Sequence, residues 1–260
     1  MKKAILATLL SATALTLFAA PASATEKTTK TDVGVQFKPS GPTIPAEDMK
    51  PFKDNLAVVF KPSSFKFGPA EAVAGAVKLN NVKGDNSNLD GTTISDQGQY
   101  LVVNDDRDLE KSAEKKNSPW TLKANMSELT TADGAAKLAS AKLEMNLTGL
   151  KKYNIGSVIG ADNDYVPMNP WDAAVNGVKP IDNFAVAGES GVTLPTDTKV
   201  VLEAGSTSKS EIMTKKTANE YKGGVATAIT DVKLAILDAD QDGKSFAGTV
   251  TWYLDDNPTF

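Results

Sequence analysis

The sequence predicts an all-β fold, an antiparallel β-sandwich of jelly-roll or immunoglobulin-like type with long inserted loops. Short apolar runs of period two recur from Leu56 onward, clusters of Gly, Asn, Asp and Pro separate them, and helical periodicity is nearly absent. In the run from Trp120 to Met126 every second residue is apolar. Such alternation is typical of a strand that buries one face. At least eight such runs fit a single sandwich domain of about 200 residues.

The candidate strands follow from this alternation. The one helix candidate, Ser127–Ala141, has Gly134 in its middle, so a loop with a single turn fits it equally well. Residues from Tyr153 to Pro195 lack periodicity, and we interpret them as large loops at one end of the sandwich, where binding surfaces tend to lie. The predicted strands are Leu56–Phe60, Ser64–Phe67, Gln99–Val103, Trp120–Met126, Lys142–Leu147, Lys199–Ala204, Val225–Leu237 and Phe246–Leu254.

The first 24 residues have the features of a cleaved secretory signal peptide. Lys2 and Lys3 precede an apolar run, which ends in the small-residue site Ala22-Ser23-Ala24. Residues 25–55 are rich in Thr, Lys and Pro, and we expect an extended, poorly ordered arm with one short strand, Val33–Phe37. Residues 56–260 would form the domain. No second apolar run reaches the length of a membrane span, so we expect no membrane contact after cleavage.

The composition excludes several kinds of chemistry. The chain has no Cys and no His, which removes disulfides, thiolate zinc sites and nucleophile–histidine pairs. A formal net charge of −4 argues against a nucleic-acid partner and makes the phosphates of teichoic acids an unattractive receptor.

Two W-x-L tripeptides stand far apart in the chain, Trp120-Thr121-Leu122 and Trp252-Tyr253-Leu254. Asn104-Asp105-Asp106-Arg107 precedes the first, and Asp255-Asp256-Asn257-Pro258 follows the second. With Ser64-Phe65-Lys66-Phe67-Gly68 and the signal peptide, this pattern resembles the WxL domain of surface proteins from Gram-positive bacteria. The resemblance runs from about residue 31 to the end, although Tyr253 stands where the family usually has Thr.

The resemblance implies a secreted, non-enzymatic cell-surface protein held non-covalently on the cell wall. It also implies peptidoglycan as the receptor, co-encoded surface proteins as further partners, and the two motifs with their neighbours as the binding residues. These residues are Trp120, Thr121, Leu122, Lys123, Trp252, Tyr253 and Leu254.

The residues themselves leave the role of the tryptophans open. Trp120 and Trp252 could stack on sugar rings, but both share their parity with apolar neighbours, which favours the core. Two adjacent motif strands would then form a structural clasp. In that case Thr121, Lys123, Tyr253 and Asp255, on the opposite face, would be the better contact candidates.

Three further features have both a functional and a plain structural interpretation. Asp238, Asp240 and Asp242 match the first half of a calcium loop, but Thr249 replaces the final Glu, so an Asp/Gly turn is favoured over weak Ca²⁺ binding and no cofactor is expected. Trp171 is either an exposed contact or a loop anchor. Carboxylate clusters could serve a glycosidase but usually just solvate turns; these are Asp105/Asp106/Asp108, Asp162/Asp164 and Asp255/Asp256.

The sequence therefore predicts non-covalent attachment to the cell wall by peptidoglycan binding. A structural subunit of a surface protein complex, or an adhesin that binds protein partners, is the alternative, and a glycan-cleaving enzyme ranks third.

Overall fold

The structure is a computed structural model. It describes residues 27–35, 52–62, 64–67, 76–81, 99–112, 115–138, 140–159, 164–174, 177–237, 244–256 and 258–260.

Strands dominate these residues, and helix is confined to a short 3₁₀ turn at Leu109–Lys111 and a single turn, α1, at Ala187–Ser190. In chain order the strands are β1 (Lys27–Val35), β2 (Leu56–Phe60), β3 (Ser64–Phe67), β4 (Val77–Asn80), β5 (Gln99–Asp105), β6 (Trp120–Met126), β7 (Leu129–Thr130), β8 (Lys137–Leu138), β9 (Ala141–Leu147), β10 (Lys151–Tyr153), β11 (Val158–Ile159), β12 (Asp164–Tyr165), β13 (Ile181–Ala185), β14 (Val192–Thr193), β15 (Lys199–Glu203), β16 (Ser210–Lys215), β17 (Gly223–Ile236) and β18 (Phe246–Asp255).

Two eight-stranded sheets form the fold, and β11 and β12 make a separate two-stranded ribbon. The first sheet has the order β14-β16-β6-β18-β1-β3, with β7 and β8 attached beside β18. Its pairs are antiparallel except β1 with β3. This arrangement confirms the predicted all-β sandwich.

The second sheet is built around β17, a strand of 14 residues. One side of β17 pairs with β5 and then β4, and the other side pairs with β10 and then β9. The register shifts between Thr230 and Lys233, where Asp231 has a φ of 49°. A bulge with one residue in the left-handed region lets this long strand bend and change partners.

The core lies between the two sheets, because the strands alternate as the sequence predicts. In β9 the residues Ala141, Leu143, Met145 and Leu147 are buried, whereas those between them are half-buried. In β18 the buried set is Phe246, Val250, Trp252 and Leu254. At about 25 cal/mol per Å² of apolar area removed from water, this inter-sheet layer is the main source of stability.

The N-terminal strand β1 is longer than the predicted Val33–Phe37 and begins at Lys27. It lies inside the first sheet, paired with β18 over nine residues on one side and with β3 on the other. Six of its nine residues are Lys, Thr or Asp. Backbone hydrogen bonds hold such a polar strand in the sheet. The alternation of side chains alone therefore underestimated its length. Gln36 and Phe37 lie outside the described residues.

A second, smaller cluster covers the outer face of the second sheet. Phe52, Val59, Val102, Tyr153 and Ala226 are buried there. The region interpreted as end loops supplies part of this layer and includes four short strands, β11 to β14, and the last residue of β10. Its Trp171 packs edge-to-face on Phe60, with ring centroids 5.8 Å apart. Trp171 is therefore a loop anchor, and the region lies against a sheet face.

The helix considered for Ser127–Ala141 is wrong. These residues contain the small hairpin of β7 and β8, with Leu129 opposite Leu138. Gly134 has a φ of 70°, and its amide donates to the carbonyl of Thr131 at 2.9 Å. Glycine adopts this left-handed conformation without the steric cost of a Cβ atom, so it closes the turn.

Candidate functional site

The two W-x-L tripeptides lie side by side near the centre of the first sheet. β6 carries the first and β18 the second, and they pair with Leu122 opposite Leu254 and Lys123 opposite Tyr253. Residues that lie directly opposite each other share a face of the sheet. The two motifs thus form the clasp considered above, with the tryptophans and leucines on one side and Lys123 and Tyr253 on the other.

Both motif tryptophans belong to the core. Trp120 is 1% exposed and Trp252 is 0% exposed, and Leu122 and Leu254 are equally buried. A ligand has no access to either indole in this state. The hypothesis of a surface sugar platform made by these rings therefore does not fit the structure.

A buried ion cluster lies beside Trp120 and joins the two sheets. Lys215 of β16 is opposite Trp120 in the register, and its Nζ is 3.6 Å from Oδ2 of Asp105 on β5. Arg107 donates two hydrogen bonds of 2.8 Å to the same carboxylate and one of 2.7 Å to the carbonyl of Ser118. The cluster thus ties the residues just before the first motif to the opposite sheet.

Burial sets the electrostatics of this cluster. The Lys215 side chain is 1% exposed and that of Asp105 is 3% exposed. Burial lowers the pKa of Lys215 below its ordinary value, and Asp105 opposes that shift. The Trp120 Nε1 donor has no partner within the described part of the chain. Unpaired buried donors are rare, because burying a donor without an acceptor costs free energy.

The opposite side of these strands presents polar groups to solvent. We call this surface the motif face and define it by Lys123 and Asn125 of β6, Tyr253 of β18 and Glu211 of β16. The Tyr253 hydroxyl donates to Oδ1 of Asn125 at 3.1 Å, and the Asn125 amide donates to the carbonyl of Ser206 at 3.3 Å. These bonds hold the phenol ring in a defined position on the sheet.

A cation covers one face of that ring. Lys209 places its Nζ 3.8 Å from the Tyr253 ring centroid, within the range of a cation–π interaction. Glu211 is exposed and lies opposite Lys123. The motif face therefore carries both signs of charge within two neighbouring strand pairs.

Thr121 is buried, which does not fit the contact role considered for it. Its register places it on the solvent side, opposite Thr214 and Asp255, yet it is only 1% exposed and Thr214 is 0% exposed. Neither hydroxyl has a hydrogen-bond partner among the residues that the structure describes. Thr121 is therefore a buried polar residue at the margin of the motif face. Of the three motif residues considered as contacts, Lys123 and Tyr253 are the accessible ones.

The sequence did not reveal β16, the strand that completes the motif face. Its register shifts between Glu211 and Met213, so its buried residues run consecutively from Ile212 to Lys215. This bulge removes the period-two signal. Glu211 and Lys209 were consequently not identified, although two charges around an isolated Ile-Met pair are a weak indication of a strand.

Two of the carboxylates considered for a glycosidase, Asp105 and Asp106, are engaged in structural contacts. Asp105 belongs to the buried cluster. Asp106 accepts from the backbone amide of Asp54 at 2.8 Å, from the Tyr165 hydroxyl at 3.3 Å, and pairs with Lys222 at 3.2 Å. These contacts fasten the outer layer onto the second sheet. Asp162 lies outside the described residues.

The calcium-loop candidates Asp238, Asp240 and Asp242 also lie outside the described residues, between β17 and β18. Within the described ranges no three His, Cys, Asp or Glu side chains come together in a way that could hold a metal ion. The same ranges contain no helix with the length and hydropathy of a membrane span.

The fold and the motif face define a β-sandwich whose mixed-charge polar surface is backed by two buried tryptophans. A family model described as "WxL domain surface cell wall-binding" matches residues 24–258. The chain therefore belongs to the WxL family, as its motifs indicate, and has a cell-wall-associated surface role. No curated protein matches the chain, and no solved structure matches it.

Proposed function

We propose that the protein binds peptidoglycan through the motif face and is attached to the wall by this contact. The observation that carries the proposal is the pairing of the two W-x-L strands, which puts Lys123 opposite Tyr253 on the solvent side. The family is named for this motif and for wall binding. Because the motif tryptophans are buried, the accessible surface that the motif strands form is the motif face.

The groups of the motif face suit a ligand rich in amides and hydroxyls. Lys123 supplies ammonium donors, Tyr253 a hydroxyl, and Asn125 an amide that both donates and accepts. Because the Tyr253–Asn125 bond holds these two side chains in place, they lose little side-chain entropy on binding. The tryptophans contribute from below, by packing the two strands that carry these groups.

Peptidoglycan fits this surface better than a phosphate polymer does. The whole chain has a formal net charge of −4, and on the motif face the cation Lys123 lies opposite the anion Glu211. Binding to a polyanion normally relies on a surplus of cations that neutralises phosphates. The motif face offers a balance of signs instead.

The test is co-sedimentation of the protein lacking residues 1–24 with purified sacculi, with and without teichoic acids. We expect equal binding to both preparations. Binding that disappears with the teichoic acids would contradict peptidoglycan as the receptor, and no binding to either would contradict the proposal as a whole.

A second candidate is attachment through a protein partner of the surface. The edge strand β13 carries Phe184, which is 75% exposed, and within the described residues it pairs only with β10. An exposed aromatic on a strand edge can accept a strand from another chain. Sacculi boiled in detergent carry no such partner, so binding to intact envelopes alone, lost in a Phe184→Ser variant, would favour this candidate.

A further inference from the structure

The motif face lacks the free aromatic surface on which a sugar ring stacks. Trp120 and Trp252 are buried, and the Lys209 ammonium occupies a position over the Tyr253 ring, 3.8 Å from its centroid. Two strongly exposed phenylalanines occur among the described residues, Phe184 and Phe260, and both lie outside β6, β16 and β18. A pyranose ring would have to displace a bound cation to stack here.

Two opposite charges of the motif face lie across from each other without meeting. Lys123 and Glu211 are direct cross-strand partners, but within the described part of the chain neither forms an ion pair. The second sheet offers an internal comparison. Its Lys142 and Glu203 have the same cross-strand relationship and meet at 2.7 Å.

The bulge in β16 gives a physical reason for this open pair. The register shift follows directly after Glu211, and a bulge locally turns the strand and re-aims its side chains. Opposite residues of an antiparallel pair have Cβ atoms about 5 Å apart. Lys123 and Glu211 can therefore each bind a separate charged group of one small ligand.

We infer that the motif face recognises the peptide part of peptidoglycan, a short peptide with a free carboxylate and a free ammonium group, and not its sugars. This inference rests on the proposed function. Lys123 binds the carboxylate and Glu211 binds the ammonium, whereas Tyr253 and Asn125, on the other side of Lys123, bond to a further amide of the peptide. In intact peptidoglycan the peptide amidates the lactyl group of muramic acid, so the sugars are neutral. Sugars freed of peptide carry that carboxylate but no ammonium group, and they cannot satisfy both charges.

The experiment compares intact sacculi with glycan strands from which an amidase has removed the peptides, and titrates two soluble probes. The probes are a free stem tetrapeptide, whose third residue is a diamino acid with a free amine, and the N-acetylglucosamine–N-acetylmuramic acid disaccharide. We expect binding to intact sacculi and to the tetrapeptide, and loss of binding to peptide-free strands and to the disaccharide. Acetylation of the peptide's amines should weaken its binding about tenfold, the usual effect of losing one charged hydrogen bond.

Single variants test the assignment of each charge. Lys123→Met and Glu211→Gln should each weaken tetrapeptide binding about tenfold, and acetylation should cause no further loss in the Glu211→Gln variant. The matched control is Lys142→Met or Glu203→Gln on the second sheet, which should leave binding unchanged.

The outcomes separate the two levels of the proposal. If peptide-free strands bind as well as intact sacculi, or Glu211→Gln binds the tetrapeptide like the parent, the peptide assignment is wrong while peptidoglycan binding stands. If intact sacculi do not bind the parent protein, the proposed function fails together with it.

Discussion

Replacing either motif tryptophan with alanine should unfold part of the population and not merely weaken binding. Trp120 and Trp252 are 1% and 0% exposed, so each change removes a large side chain from between the sheets. Such a cavity costs about 3–5 kcal/mol, a large share of the roughly 5–15 kcal/mol that holds a domain together. For a domain of this size we expect the melting temperature to fall by about 6–20 °C.

The two tryptophans should differ when the replacement is phenylalanine. The Trp120 Nε1 donor is buried and unpaired within the described residues, so losing it relieves a desolvation penalty of about 1–3 kcal/mol. Trp120→Phe should therefore cost clearly less than Trp252→Phe. Trp171→Ala, at a half-buried ring that packs on Phe60, is the matched control and should lower stability least.

Urea unfolding and thermal unfolding of the five variants, both followed by far-UV circular dichroism, measure these differences, and sacculus co-sedimentation is run in parallel. We expect stability and binding to fall together. A Trp120→Ala or Trp252→Ala protein that melts within a few degrees of the parent but no longer binds sacculi would refute the assignment of these rings to the core.

Three other predictions concern the groups around the motif. Asp105→Asn should cost about 3–5 kcal/mol of unfolding free energy by urea denaturation, because it leaves the buried Lys215 ammonium and the half-buried Arg107 guanidinium without their shared anion. Lys215→Met should cost less, since Arg107 still pairs with the carboxylate; equal costs would contradict the ion cluster. Burial raises the pKa of Tyr221 to about 12. Its contribution to the free energy of unfolding is therefore complete below pH 10 and is lost between pH 10 and 12, because the phenol ionises first in the unfolded state. A Tyr221→Phe variant should lose stability less steeply with rising pH, and an unchanged slope would speak against this. Thr121→Val removes an unpaired buried hydroxyl and should leave the melting temperature equal or higher, whereas a drop of several degrees would reveal a hydrogen bond there.

Strands with one buried face were predictable from the sequence, because a half-buried strand repeats its pattern every two residues. The bounds of β6 agree with those predicted, and β18 extends one residue further, to Asp255. Since both tryptophans share their parity with core residues, the sequence also favoured their burial. The alternation thus predicted the inner layer of the sandwich and the two solvent-facing positions Lys123 and Tyr253.

The remaining features depend on contacts between distant residues. Lys215 is a buried cation, and its partner Asp105 lies on the other sheet and far away in the sequence. No local pattern around Lys215 indicates its burial. The bulge beside Glu211 cancels the strand signal of β16. β1 is an interior strand through backbone pairing with the far end of the chain, which its polar side chains do not reveal. Thr121 has the parity of a surface residue but is covered in the folded chain.

The most direct test of the account is sacculus binding by a double variant of the motif face, Lys123→Ser with Tyr253→Ser. Its control is Lys142→Ser with Glu203→Ser, a closed pair on the second sheet. If the motif face binds the wall, both proteins unfold at nearly the same urea concentration as the parent, the control binds sacculi normally, and the motif-face variant does not bind. Parent-like binding by the motif-face variant would show that this surface is not the wall-binding site.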